Sequence, residues 1–115
     1  MASPHRDLRA YQLAAELARD VRAHVLRWSE FDRWSLGLQL VRALESIGAN
    51  IAEAEGRWHV GDKRRLLFIA RGSLYEAEHW LSRAEESGLV RQGSADRLND
   101  VARNLNGLIK KPAPK

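Results

Sequence analysis

Residues 67–84 read Leu67-Phe68-Ile69-Ala70-Arg71-Gly72-Ser73-Leu74-Tyr75-Glu76-Ala77-Glu78-His79-Trp80-Leu81-Ser82-Arg83-Ala84. Within them Leu67, Ala70, Leu74, Ala77, Leu81 and Ala84 recur at intervals of 3, 4, 3, 4 and 3 residues. An α-helix turns once every 3.6 residues, so that spacing lays all six on one apolar stripe, the seam of a helical bundle. Alternating leucine and alanine lets a neighbouring helix approach closely. The helix is predicted from about Asp62 to Ser87. Asp62 sits at its N-cap or first turn, where a carboxylate meets the positive end of the helix dipole, and Gly88 ends it.

The same period governs the rest of the chain. Tyr11, Ala14, Ala18, Val21, Val25 and Trp28 form a seam with the same intervals on a first helix from about Leu8 to Trp28, which Leu13, Leu17 and Leu26 widen. Leu36, Leu40, Leu44, Ile47, Ile51 and Ala54 place a second helix from Ser35, its expected N-cap, to Glu55, with Gly56 at its C-cap. Between the two, Phe31 and Trp34 are expected to tuck against the bundle end. Leu98, Val101, Leu105 and Leu108 give a last helix from about Ser94 to Leu108, with Ser94 as N-cap. No stretch alternates apolar and polar residues as a strand would. Short connections favour antiparallel neighbours, so the expected fold is all-α, an antiparallel up-down-up-down four-helix bundle over residues 1–109. Residues 110–115, Lys-Lys-Pro-Ala-Pro-Lys, are expected to be a basic disordered tail. Gly48 and Gly72 fall inside helices, where glycine costs about 1 kcal/mol relative to alanine, and close helix contact is the expected reason.

At 115 residues, 44% hydrophobic and 30% charged, the chain suits one soluble domain. It has no cysteine, which excludes disulfides, thiol catalysis and cysteine-based zinc sites and fits a cytoplasmic protein. No apolar run approaches the ~20 residues that span a bilayer. The start, Met1 to Asp7, passes into an amphipathic pattern rather than a signal-peptide core.

Net charge is +4, unevenly spread. Residues 57–71 set Arg57, Lys63, Arg64, Arg65 and Arg71 against Asp62, and residues 88–115 set six cations, Lys110 and Lys111 among them, against Asp96 and Asp100. Residues 72–86 are acidic. Such basic segments attract polyanions, although basic helical faces also serve simply as solvated surface.

Catalytic signals are thin. Glu76-Ala77-Glu78-His79 holds one Glu-x-x-His spacing, whereas a di-iron bundle needs two and further inward glutamates. Ser73 has no nucleophile elbow around it, and Gly56 and Gly61 form no phosphate-cradling loop. The expectation is a non-enzyme with no metal and no cofactor. Asn50 and Glu53 share a helix face and either orient Arg57 toward a phosphate or partner, or build a helix-end hydrogen-bond network. Ser73, Glu76 and Glu78 are expected to pair with basic residues. Trp58, beside Arg57 in a loop, can stack on a base, anchor a subunit contact or cap the core. Trp80 lies off the seam and suits a second packing face.

Three segments carry a resemblance. Asp7-Leu8-Arg9-Ala10-Tyr11-Gln12-Leu13-Ala14, Ser46-Ile47-Gly48-Ala49-Asn50-Ile51-Ala52-Glu53-Ala54-Glu55-Gly56-Arg57 and residues 67–78 resemble, in order and spacing, the motifs of proteins encoded in bacterial 23S rRNA intervening sequences. Gly48, Ala49 and Ala54 stand where that family carries proline, serine and glycine. The resemblance implies a four-helix bundle that assembles into homo-oligomers, with pentamers the family's form. A related branch, the accessory variability proteins of diversity-generating retroelements, implies nucleic-acid binding and a reverse transcriptase as partner. No settled activity comes with the intervening-sequence branch itself. The leading expectation is therefore a homo-oligomer that binds RNA or DNA through Arg57, Lys63, Arg64, Arg65 and Arg71, with Lys110 and Lys111 as flexible additions. The alternative is a protein-interaction adaptor with no nucleic-acid role.

Overall fold

A computed structural model describes residues 4–111. A 3-10 turn, Pro4–Asp7, precedes α1 (Arg9–Val25). A helical turn, Glu30–Asp32, and a π-helical turn, Arg33–Gly37, run directly into α2 (Leu38–Glu55). After four residues comes α3 (Val60–Glu86), and after nine more α4 (Asp96–Lys110). No strand occurs among the described residues.

Each helix packs on its neighbours in the chain, and α4 closes the ring against α1. Three cross-contacts fix the directions. Arg97 pairs with Asp20 at 3.0 Å, Arg71 donates to Asn106 Oδ1 at 3.3 Å, and His24 Nε2 lies 3.2 Å from the Leu89 carbonyl oxygen. The first places the start of α4 beside the later half of α1, and the second, with the Ala95 N–H donated to Glu85 at 3.1 Å, runs α3 and α4 oppositely. The third brings the ends of α1 and α3 together. This is the up-down-up-down arrangement expected.

The seam of α3 is buried throughout, from Leu67 to Ala84, and Leu66 joins it. Leu40, Leu44, Ile47, Ile51 and Ala54 face it from α2, and Leu98, Val101, Leu105 and Ile109 from α4. Burying a leucine or isoleucine stabilises by roughly 1.5–3 kcal/mol, so these layers dominate the favourable side of folding. On α1 the buried set is Ala10, Ala14, Leu17, Ala18 and Val25. Tyr11, Val21 and Trp28 are half-buried and Leu26 is 57% exposed, so the stripe lies slightly to one side of the expected seam. Across the α2–α3 contact, Ser46 Oγ and Ser73 Oγ share a hydrogen bond of 2.8 Å, and Asn50 Nδ2 donates to the Ser46 carbonyl at 2.8 Å and to its hydroxyl at 3.0 Å. That small polar clasp sets the register of two otherwise apolar surfaces.

Several boundaries differ from expectation for identifiable reasons. The first helix stops at Val25, three residues before Trp28. The second begins earlier: Ser29, not Ser35, is the cap, its hydroxyl accepting from the Asp32 N–H at 3.3 Å, while the Ser35 hydroxyl bonds back to the Phe31 carbonyl. Because the polypeptide is already helical there, Phe31 and Trp34 project from it, 80% and 63% exposed, instead of tucking in. Gly37 lets the π turn lie against the end of α1: a methyl group there would stand 2.6 Å from Val25 Cγ1 and 3.1 Å from the Asp32 carbonyl oxygen.

α3 opens at Val60, putting Asp62 in its first turn, and closes as foreseen. Gly88 takes φ +75°, and Gly88 and Leu89 return their N–H groups to Glu85 and Ala84 at 3.1 and 2.9 Å, a Schellman ending. Ser94 is not the N-cap of α4, since its hydroxyl donates to the Arg91 carbonyl; the Glu85 carboxylate accepts the Ala95 N–H at 3.1 Å instead. α4 runs on to Lys110, so Lys110 is helical and Lys111 its C-cap rather than part of a disordered tail. Residues 112–115 of that expected tail lie outside the described residues. Gly48 has the Tyr11 ring at 3.7 Å from the place of a Cβ, whereas Gly72 faces open space and has no helix contact to explain it.

Candidate nucleic-acid interface

The four residues Gly56–His59 join α2 to α3 and are held on both sides. Gly56 and Arg57 return N–H bonds to Glu53 and Ala54 at 3.1 and 3.2 Å, and the Lys63 N–H bonds the His59 carbonyl at 3.1 Å. Arg57 is exposed and its guanidinium donates to Glu53 Oε1 at 2.6 Å, an i,i+4 pair on the last turn of α2. The Glu53 hydrogen bond, then the Glu53 charge, raise the guanidinium above its ordinary pKa; desolvation opposes them and Asp62 adds to them. A raised cation contributes stability below its unfolded-state pKa and loses it only as pH rises through the folded one, so this pair persists far into the alkaline range. Asn50, expected beside Glu53 and Arg57, belongs to the Ser46–Ser73 clasp instead.

Arg64 and Arg65 are exposed on the first turns of α3, and Lys63 is half-buried. Arg71 turns partly inward: its guanidinium lies 4.8 Å from the Phe68 ring centroid while it bonds Asn106. That last bond also settles where Lys110 and Lys111 fall. From Asn106, α4 runs on toward its end while α3 runs back toward its start, so one turn later Lys110 comes level with the second turn of α3. Lys63–Arg65 and Lys110–Lys111, about 45 residues apart in sequence, thus fall toward one end of the bundle. The 3-10 turn packs on α2 and brings exposed Arg6 and Arg9 toward the same end, cations that sequence reasoning missed. The signal for them was topological: an up-down bundle returns the start of α1 to the end of α2.

Trp58 does not cap the core. It is 92% exposed on this loop. The acidic stretch of α3 behaves differently from expectation too: Glu76 accepts from Trp80 Nε1 at 3.1 Å and Ser73 bonds Ser46, so neither pairs with a basic residue. Glu76 and His79 both lie on the exposed surface of α3, facing away from the bundle interior where a di-iron site is built. Among the described residues no group of three or more His, Asp or Glu is placed to hold a metal ion, and no helix is long and apolar enough to cross a membrane.

A four-helix bundle with one basic end is thus the class this chain defines. Comparison narrows it: the profile of the 23S rRNA-intervening sequence protein family matches residues 6–111, and the chain belongs to that family. It is also similar to the crystal structure of a protein of unknown function from the S23 ribosomal protein family of Bacteroides thetaiotaomicron. That likeness has TM-score 0.74 and 25% identity, over 89% of this chain and 99% of the other. No curated protein matches it significantly.

Proposed function

We propose that this protein is a non-enzymatic, cytoplasmic, self-associating bundle that binds RNA through its basic end. One observation carries the reading: the fold gathers Arg57, Lys63, Arg64, Arg65, Lys110 and Lys111, from three separate elements, at one end of the molecule. Charge so concentrated holds phosphates without reading sequence, and each neutralised phosphate releases a counterion, which makes affinity salt-dependent. Several copies in one particle would multiply a modest single-site affinity. The outward face of α3 supports self-association: Ile69 and Tyr75 are 42% and 59% exposed on either side of Gly72, over which nothing packs. Pentamers are the assembly that family membership suggests. Binding rather than catalysis is favoured by the interior, since no polar or charged side chain is buried among the described residues.

The test is titration of a labelled structured RNA at several salt concentrations. Replacing Lys63, Arg64 and Arg65 together by glutamine should weaken binding by roughly tenfold to a hundredfold and flatten the salt slope by about two to three. Unchanged affinity and slope would remove the basic end from consideration. A protein-interaction adaptor is the second reading, supported by exposed Leu26, Phe31 and Trp34 around the π turn at the opposite end. It predicts salt-insensitive binding to a protein partner, for which a reverse transcriptase is one candidate, and none to RNA.

A further inference from the structure

An indole left 92% in water is an unusual use of the largest apolar side chain, and here it is presented rather than merely loose. The backbone on both sides of Trp58 is pinned by the Arg57–Ala54 and Lys63–His59 hydrogen bonds. Arg57 beside it is tied to Glu53, while Lys63 and Arg64 follow in the first turns of α3. Arg57, Lys63, Arg64 and Arg65 thus flank the open ring along the chain and outnumber the carboxylates Glu53, Glu55 and Asp62 of the same stretch.

The other exposed aromatics differ. The Phe68 ring already has the Arg71 guanidinium over it at 4.8 Å. Tyr75 stands next to Glu76 and close to Glu78, and Phe31 and Trp34 lie at the far end of α2. Trp34, 63% exposed, already has the Arg33 guanidinium 6.0 Å from its ring centroid, and Trp58 is the most exposed aromatic at the basic end.

A ring with cations around it fits a flat base with phosphates on either side, since the base meets the indole and the phosphates meet the lysine and arginine. A base inside a duplex has both faces covered by its neighbours, and the grooves of A-form RNA offer no base face to a side chain projecting from a loop tip. Only an unpaired base, in a loop, a bulge or an end, can present its face.

Resting on the RNA-binding reading above, we propose that Trp58 is a stacking platform for an unpaired base of RNA, whose flanking phosphates contact Lys63 and Arg64. Base faces are alike in kind, so the contact selects for unpaired structure rather than for sequence, with purines favoured by their larger stacking area.

The experiment measures binding of a labelled oligoadenylate and of a blunt RNA duplex to the full chain and to Trp58→Ala and Trp58→Phe. Trp58→Ala should weaken oligoadenylate binding by about tenfold, leave duplex binding within about twofold, and keep the salt slope. Trp58→Phe should recover most of the loss. With no packing contact to lose, the variants should melt like the parent, which thermal unfolding checks. If Trp58→Ala binds both RNAs like the parent while the Lys63/Arg64/Arg65 variant loses both, RNA binding stands and the platform is overturned. If the parent binds neither RNA, the reading and the platform fall together. If Trp58→Ala lowers the particle mass by light scattering and weakens both RNAs equally, Trp58 is a subunit contact and the proposal is overturned.

Discussion

The two ends of the bundle are built on opposite plans. Where α1 passes to α2, the chain is jammed together: Gly37 lies against Val25 and Trp28, Ser29 caps the incoming turn, and the Arg33 guanidinium reaches the Leu26 carbonyl at 3.4 Å. Where α2 passes to α3, four exposed residues cross, three of them with side chains in water, and what gathers around them is charge. The first end is determined by shape and has little freedom to change. The second is held by backbone hydrogen bonds and the exposed Glu53–Arg57 pair, which leaves Trp58 and His59 without a packing role.

That contrast can be broken most severely at Gly37. Alanine there must displace Val25 or the Asp32 carbonyl, and Gly37→Ala should cost about 2 kcal/mol, read by urea unfolding. A loss below about 0.5 kcal/mol would mean that this end is looser than its packing implies. Ser29→Ala removes the cap on the π-turn segment and should cost about 1 kcal/mol, a melting shift of about 4 °C. Between the ends, Gly72→Ala should stabilise the isolated subunit by about 0.5–1 kcal/mol, since its surroundings are open and alanine favours the helix. If the same change lowers the particle mass, the bare backbone at Gly72 is a contact between copies. Smallest of all, Trp58→Ala should leave stability within about 0.5 kcal/mol of the parent, although it deletes the largest side chain type. A larger loss would show that the basic end, too, depends on packing.

How far the sequence discloses this differs between elements. The α3 seam is legible residue by residue because one helix of constant period faces one core, and every member from Leu67 to Ala84 is buried. The start of α2 is not legible. Glu30 to Trp34 offers no apolar period, and the π turn that follows admits an extra residue, which breaks the 3.6-residue rhythm just where Ser35 looked like a beginning. α4 has the right stripe but the wrong limits, because its N-terminus is satisfied by Glu85 from another helix, a partner no local pattern reveals. The candidate interface follows the same rule. Its cations can be counted in advance, yet that Lys110 and Lys111 join Arg64, that Arg6 and Arg9 lie toward the same end, and that Arg71 turns toward Asn106 are consequences of register.

The π turn carries one more consequence. Deleting a single residue from Arg33–Gly37 would restore ordinary winding and swing everything before it by about 100° around the helix axis, with a rise of about 1.5 Å. With Leu40, Ile47 and the layers below held in place, Ala14, Leu17 and Val25 of α1 would be carried off the faces they now bury. The extra residue is therefore a spacer: it reconciles two helices whose buried faces would otherwise be about 100° out of phase, and it can be dropped only by taking α1 out of the core.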